Sequence, residues 1–306
     1  MSDPIIHVCN HHAMATQFQV RLAGAERDYA AQAAQAAFAL ADELESHLSR
    51  FRANSDVAQI AQLAPGETMR LSEPVFACLE IARTMELATR GAFSITAAAR
   101  KTLPAPPQWS LRRAQFSIRC DGGKLEFDLG AIGKGFALDR MAEVLREWDC
   151  SAFLLVAGGS SILAGEPPPG TAGWSCGLGD DHSPYRFWLK NGSLSGSGLA
   201  VKGPHIVDPR TGDPAARKNR AWAWCSTAAE SDALSTAAMV LGEAAVASVI
   251  LSLNNSIVWL HDGREWKRFG DQKGLDAAPP RLNDAPDNPG PTQLSAPNHK
   301  FPDCTT

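Results

Sequence analysis

The chain has 306 residues, is 44% hydrophobic and carries a formal net charge of -4. That is enough apolar material for one large core or two modest ones, and the acidic balance argues against a nucleic-acid binder, which would show a basic face. The seven cysteines contain no Cys-x-x-Cys pair, which argues against a disulfide framework or a structural zinc site and fits a reducing compartment.

In chain order, the first ten residues lack the basic and apolar regions of a signal peptide. No apolar run reaches membrane-spanning length, so a cytoplasmic location is expected. Cys9, His11 and His12 fit no metal-ligand spacing and read as a surface terminus. A strand is expected over 16–22. A helix is expected over 26–49, with Phe38, Ala41, Leu44 and Leu48 on one face. Met14 and Phe51 have the shape to sandwich a flat ring, although such residues are more often core. Ser72-Glu73-Pro74 opens another helix, with Ser as N-cap and Pro in the first turn, which stops at Gly91. Gly91-Ala-Phe93-Ser94-Ile-Thr96 then leads into a new segment. The prolines of 103–107 break the chain, and 115–129 reads as a hairpin turning at Asp121-Gly122-Gly123.

Residues 125–148 are the most informative stretch. Leu125, Phe127 and Leu129 alternate with Glu126 and Asp128, as in a strand. Ala137, Met141, Val144, Leu145 and Trp148 then form one helical stripe. Between them, Gly130, Gly133 and Gly135 permit a close backbone approach, and Lys134 stands near a helix N-terminus that favours anions. Asp128, at the strand's exit, is placed to accept hydrogen bonds from a sugar or ring N–H. This is not a Walker loop, because Lys134 precedes Gly rather than Ser or Thr. An ordinary strand–turn–helix fits the same residues, and on pattern alone both readings stand.

Further strands are expected over 153–157, 174–178, 185–189, 221–226 and 256–260, with a Pro/Gly loop over 166–172 and a long helix over 228–252. The segment from Gly203 to Pro214 is a stiff loop carrying His205, a residue able to move a proton near neutral pH. Asp208 and Arg210 are close enough in it to pair. A structural turn with a bystander histidine is the alternative. In the next segment Thr227 and Glu230 have capping-box spacing. Asp232 and Thr236 share a helix face with Ser235 beside them, an oxygen set suited to Mg²⁺; helix-end capping explains the same residues. From Asp271 onward, seven of 36 residues are Pro, which reads as a disordered tail over 271–306 behind a domain spanning 1–270. Hairpins mixed with helices indicate an α+β fold.

Taken in order, these segments resemble the ApbE family of FAD:protein FMN transferases. The resemblance rests on Met14-Ala-Thr16, Ser49-Arg-Phe51, Gly91 to Thr96, Asp128-Leu-Gly-Ala131-Ile-Gly-Lys134-Gly, Gly158-Gly-Ser160, Ser195-Gly196, His205 to Pro214 and Ser231-Asp232-Ala-Leu-Ser-Thr236. It covers about residues 12–260. It implies an ApbE-like, T-fold-like arrangement of mixed sheets with packed helices. It also implies an enzyme that binds FAD with Mg²⁺ and passes FMN to a threonine hydroxyl of an acceptor protein, such as a redox-complex subunit or reductase, releasing AMP. By the same resemblance Asp232 and Thr236 hold Mg²⁺ with the Ala131 carbonyl and Ser235. Met14, Phe51, Ala92, Phe93, Ser94, Asp128, Lys134 and Val207 contact FAD. Lys134 stabilises charge, and His205 is the candidate for proton transfer.

Four departures from the family's pattern stand out. Ala15 replaces a glycine, Ser94 and Ser160 replace aspartates, and the stretch from Ser195-Gly196 to His205 is short. The lost carboxylates and short loop also suit a metal-dependent FAD pyrophosphatase. A non-catalytic flavin-binding or assembly protein recruiting a partner through its tail is the third reading.

Overall fold

A computed structural model describes residues 4–97, 106–179, 186–198, 206–215, 220–253 and 255–270. His205 and the Pro-rich segment 271–306 lie outside the described residues.

The main element is an eight-stranded sheet. In spatial order it comprises β1 (Ile6–Ala13), β2 (Thr16–Ala23), β6 (Phe153–Ala157), β7 (Ser161–Ala164), β10 (Gly192–Gly198), β11 (Arg220–Cys225), β12 (Ile257–His261) and β13 (Trp266–Phe269). Neighbours are antiparallel throughout. The period-two pattern of β11, Arg-Ala-Trp-Ala-Trp-Cys, separates the sheet's two faces. Ala221, Ala223 and Cys225 belong to the core shared with α1 (Arg27–Leu48), α4 (Gly133–Glu147) and α5 (Ala228–Val240). Their small side chains let α5 lie close to the sheet. Trp222 and Trp224 fill the opposite face, beneath the hairpin of β8 (Trp174–Gly177) and β9 (Arg186–Leu189). The alanine-rich inner face of α1, with Phe38 and Leu44, completes the helical layer.

A second sheet has the order β3 (Thr68–Arg70), β5 (Ser117–Gly122), β4 (Gln108–Arg112). It accompanies α3 (Glu73–Ala88), which Ser72 opens as read from sequence. The single-turn helix α2 (Asp56–Ile60) and α6 (Glu243–Ser252) are the remaining α-helices among the described residues.

Four expectations are corrected. Residues 125–129 are extended but belong to no sheet; the burial of Leu125, Phe127 and Leu129 alternates because any extended backbone alternates. The hairpin turns at Arg113–Gln115, ending on Phe116 at φ 46°, so β4 pairs with β5 and Gly123 merely ends β5. The helix over 228–252 is two helices. Leu241 leaves helical geometry at ψ 140° and Gly242 becomes the N-cap of α6, a break hidden by an apolar pattern that runs through both. The N-terminal segment holding Cys9, His11 and His12 is an edge strand, β1, with His11 Nε2 2.8 Å from Asp42 Oδ1.

Candidate active site

The first turn of α4 lacks a cap of its own, since Ile132 at the N-cap offers no side-chain hydrogen bond. Its free amides need acceptors from elsewhere. Asp232 of α5 supplies one, with Oδ2 accepting from Gly135 N at 3.1 Å. This carboxylate is only 4% exposed, so it needs compensation. Lys134 Nζ lies 3.3 Å from Oδ2 and 3.4 Å from the Gly130 carbonyl. Ser161 Oγ, at the start of β7, donates to Oδ1 at 2.8 Å.

The start of α5 is capped in return. Asp139 of α4 accepts from Ala228 N and Ala229 N at 2.7 and 2.8 Å. Burial pushes the Asp139 carboxyl up to about 7, with the two amides opposing and Glu230 and Glu143 adding to the rise. The helices cross at Gly135, where a Cβ would stand 2.1 Å from the Ala228 carbonyl oxygen. The glycine after Lys134 therefore serves a contact between helices.

Along the other side of α5 runs a line of hydroxyls. Ser193, Ser195 and Ser197 alternate along β10 and share the face that Ala221, Ala223 and Cys225 present on β11. Ser193 and Ser195 each meet Ser231, at 2.8 and 2.9 Å. Ser197 meets Ser235 at 2.9 Å and Thr236 at 3.2 Å. Ser235 and Thr236 donate their protons to the Asp232 carbonyl at 3.0 and 3.1 Å. Their oxygens therefore keep lone pairs for another partner.

These donors fit a hard cation. A carboxylate offers about four acceptor positions, and Asp232 uses three of them on Ser161, Gly135 and Lys134. One carboxylate position and two hydroxyls form the all-oxygen set that Mg²⁺ accepts, its shell completed by water and phosphate. Among the described residues no group of three or more His, Cys, Asp or Glu is arranged to hold a metal. Ala131 is half-buried in the turn between Gly130, the carbonyl partner of Lys134, and Ile132.

Asp128, Phe51 and the 91–96 segment are joined to this centre by a chain of contacts. Asp128 Oδ1 accepts from Gly130 N at 2.9 Å, and its Oδ2 lies 3.5 Å from Arg50 Nη2. The Arg50 guanidinium sits 4.6 Å over the ring of Phe51, which is 84% exposed. Asp128 N donates to the Ile95 carbonyl at 2.7 Å, tying the 91–96 segment to the same turn. The side chains of Ala92 and Phe93 are buried in the core, and their amides donate to the Thr89 carbonyl and hydroxyl at 3.1 Å each. Ser94 Oγ is 2.9 Å from Thr96 Oγ1. A Cβ on Gly91 would touch Arg210 Cγ at 3.6 Å, so the 206–214 loop lies alongside. In that loop Val207 pairs with Pro214. Arg210 Nη2 lies 2.7 Å from Asp208 Oδ2, and its hydrogen bonds hold the Asp208 carboxyl below its usual range.

Met14 and Ala15 form the two-residue turn between β1 and β2, both left-handed at φ 50° and 55°. Met14 N donates to Glu45 Oε2 at 3.0 Å. The turn abuts the β6–β7 loop at Gly158, where a Cβ would fall 2.4 Å from Thr16 Oγ1.

Lys134, Asp232, Ser235 and Thr236 thus converge, and Asp128 and Ala131 share the adjoining turn. Sequence reasoning missed Ser161, Ser197, Arg50 and Asp139. The alternation Ser193, Ser195, Ser197 was a legible signal for one of them. Asp139 left none, because its partners lie 89 and 90 residues away.

A family model described as the ApbE family matches residues 14–259. A curated relative, the FAD:protein FMN transferase of Klebsiella pneumoniae (strain 342), is 24% identical over 212 residues, 58% of this chain; the match spans 65% of that relative's length. The flavin transferase ApbE from Vibrio cholerae has a similar structure, with TM-score 0.75 at 18% identity, covering 89% of this chain and 99% of that one. The ApbE protein of Thermotoga maritima superposes with TM-score 0.74 at 22% identity, covering 87% and 97%. These two structures establish the shared α+β fold.

Proposed function

The chain belongs to the ApbE family, and from that membership we propose that it is a Mg²⁺-dependent FAD:protein FMN transferase. The observation that most supports this reading is the meeting of Lys134 with the buried Asp232 carboxylate at the N-terminus of α4. The name of the curated Klebsiella relative agrees with it.

In the reaction, the bond from the flavin-side phosphorus to the bridging oxygen of FAD breaks, and a bond from an acceptor threonine oxygen to that phosphorus forms. AMP leaves with the bridging oxygen, and the threonine proton passes to a base. Lys134 stabilises charge on the phosphate oxygens. Bound Mg²⁺ supplies further neutralisation of that charge, and Asp232, Ser235, Thr236 and the Ala131 carbonyl are the residues that would hold it. Met14, Phe51, Asp128, Ser94, Val207 and the backbone of Ala92 and Phe93 are assigned to FAD. Arg50 fixes Asp128 and covers Phe51. His205 is assigned as the proton acceptor on the strength of its sequence motif.

The test is incubation with FAD, Mg²⁺ and an acceptor carrying an Asp-x-x-Ser/Thr-Gly-Ala-Thr segment. Flavin fluorescence at the acceptor's mass after denaturing electrophoresis, lost in Asp232→Ala, is the expected result. FMN and AMP released equally with and without acceptor, and no labelled acceptor, would instead establish a pyrophosphatase.

A further inference from the structure

The outer face of the three-stranded sheet carries a row unrelated to the centre above. Arg70 on β3 stands directly opposite Ser117 on β5, and Ser117 directly opposite Arg112 on β4. Opposed residues of antiparallel strands project to the same face, so the serine lies between two arginines. The neighbouring Ile118 turns to the core and is fully buried. A cleft of about 490 Å³ lies over the row, lined also by Thr68, Gln115 and Phe116.

Two properties of the row are unusual for a sheet surface. Ser117 is 4% exposed, and its Oγ has no hydrogen-bond partner among the described residues. An unpaired buried hydroxyl costs about 1–3 kcal/mol, so something acting as acceptor has a reason to be there. The charge is also uncompensated. Glu80 is engaged by Arg113 at 2.8 Å and Asp121 by Arg119 at 3.1 Å. Among the described residues no carboxylate pairs with Arg70 or Arg112.

We propose that this row binds a phosphate-type oxyanion, held between the guanidiniums of Arg70 and Arg112, with the Ser117 hydroxyl donating to it. Two strand spacings separate the arginine backbones by roughly 10 Å, so both side chains reach an anion placed over the serine. Forks arriving from opposite sides, with a third donor below, need acceptor oxygens in several directions. A tetrahedral oxyanion presents four such oxygens, whereas a carboxylate presents one edge. Both arginine side chains are exposed, so they have the freedom to turn toward an anion over the serine. The row shares no residue with the proposed transferase centre and does not depend on that reading.

The experiment is calorimetric titration of the full chain with inorganic phosphate at constant ionic strength, with chloride as the control anion. Phenyl phosphate titrated in parallel distinguishes free from esterified phosphate as the natural source. Saturable binding is expected, weakened at least tenfold in Arg70→Gln/Arg112→Gln. Ser117→Ala is expected to weaken it several-fold without lowering the melting temperature, since that variant removes an unpaired polar group. Lys267→Gln, which removes a cation on β13 outside both sites, should leave phosphate affinity unchanged. Binding by the double arginine variant within twofold of wild type overturns the proposal, as does loss of phosphate binding in Lys267→Gln alone. No preference for phosphate over chloride overturns it as well.

Discussion

Asp139 and Asp232 cap each other's helices. Asp139 on α4 accepts the first two amides of α5, and Asp232 on α5 accepts the Gly135 amide in the first turn of α4. Each helix start therefore depends on a carboxylate carried by the other. The oxygens assigned to the metal and the ammonium assigned to phosphate both ride on those starts.

Asp139→Ala removes two acceptors from the α5 N-terminus. A lost cap of this kind costs about 1–2 kcal/mol. Urea denaturation should show that loss, and Asp139→Asn, which keeps one acceptor oxygen, should recover part of it. The variant should also require more Mg²⁺ for half-maximal FMN transfer, because Asp232, Ser235 and Thr236 lie on the loosened helix.

The same carboxyl makes stability depend on pH. Its folded value of about 7 lies above an unfolded value of about 3.9, so folding favours the protonated form. That contribution is complete below about pH 4 and is lost as pH rises through about 7. The melting temperature of wild type minus that of Asp139→Asn should fall across this window and level off above it. A difference that grew with pH would contradict the assignment.

Gly135→Ala places a methyl 2.1 Å from the Ala228 carbonyl oxygen. Backbone cannot yield as a flexible side chain does, so the helices must separate. Overpacking of this kind costs about 1–3 kcal/mol. FMN transfer per folded molecule should drop as well, because the Gly135–Asp232 hydrogen bond is stretched; an active variant with wild-type stability would refute this account.

Ala15→Gly should stabilise the protein. Ala15 sits at φ 55° in the β1–β2 turn, a conformation costing an L-residue about 1–2 kcal/mol that glycine largely avoids. After glycine's greater loss of chain entropy, a gain of about 0.5–1 kcal/mol remains. Thermal unfolding of the two forms measures it directly.

Lys134→Gln keeps a hydrogen-bonding side chain but removes the charge facing Asp232, the charge proposed to stabilise the phosphates. Losing one preorganised electrostatic group typically lowers kcat by roughly 10²–10³-fold. Single-turnover rates of AMP release should show this fall with FAD affinity much less affected.

Elements with strong local patterns were legible in the sequence. The helix over 26–49 is α1 to within a residue at each end, and the strands at 153–157, 174–178 and 221–226 are β6, β8 and β11. What failed depended on partners elsewhere in the chain. Residues 125–129 carry a strand's alternation but meet no neighbouring strand. The break at Leu241 and Gly242 is concealed because both flanking helices are apolar. At the site, Lys134 and Asp232 were legible as separate motifs, but their contact spans 98 residues. Ser161 was overshadowed by its neighbour Ser160, although Ser161 is the residue that reaches Asp232.

The two-faced sheet also determines what optical probes can report. Five of the chain's eight tryptophans, Trp174, Trp222, Trp224, Trp259 and Trp266, gather on the face away from the helices, and the rings of Trp222 and Trp266 are 5.1 Å apart. Intrinsic fluorescence is therefore chiefly a signal from the β8–β9 side, whereas far-ultraviolet ellipticity follows the helices on the other. If the layers come apart in separate steps, the two melting curves will not superimpose, and a fluorescence scan alone would misjudge when the helix pair carrying Lys134 and Asp232 is lost.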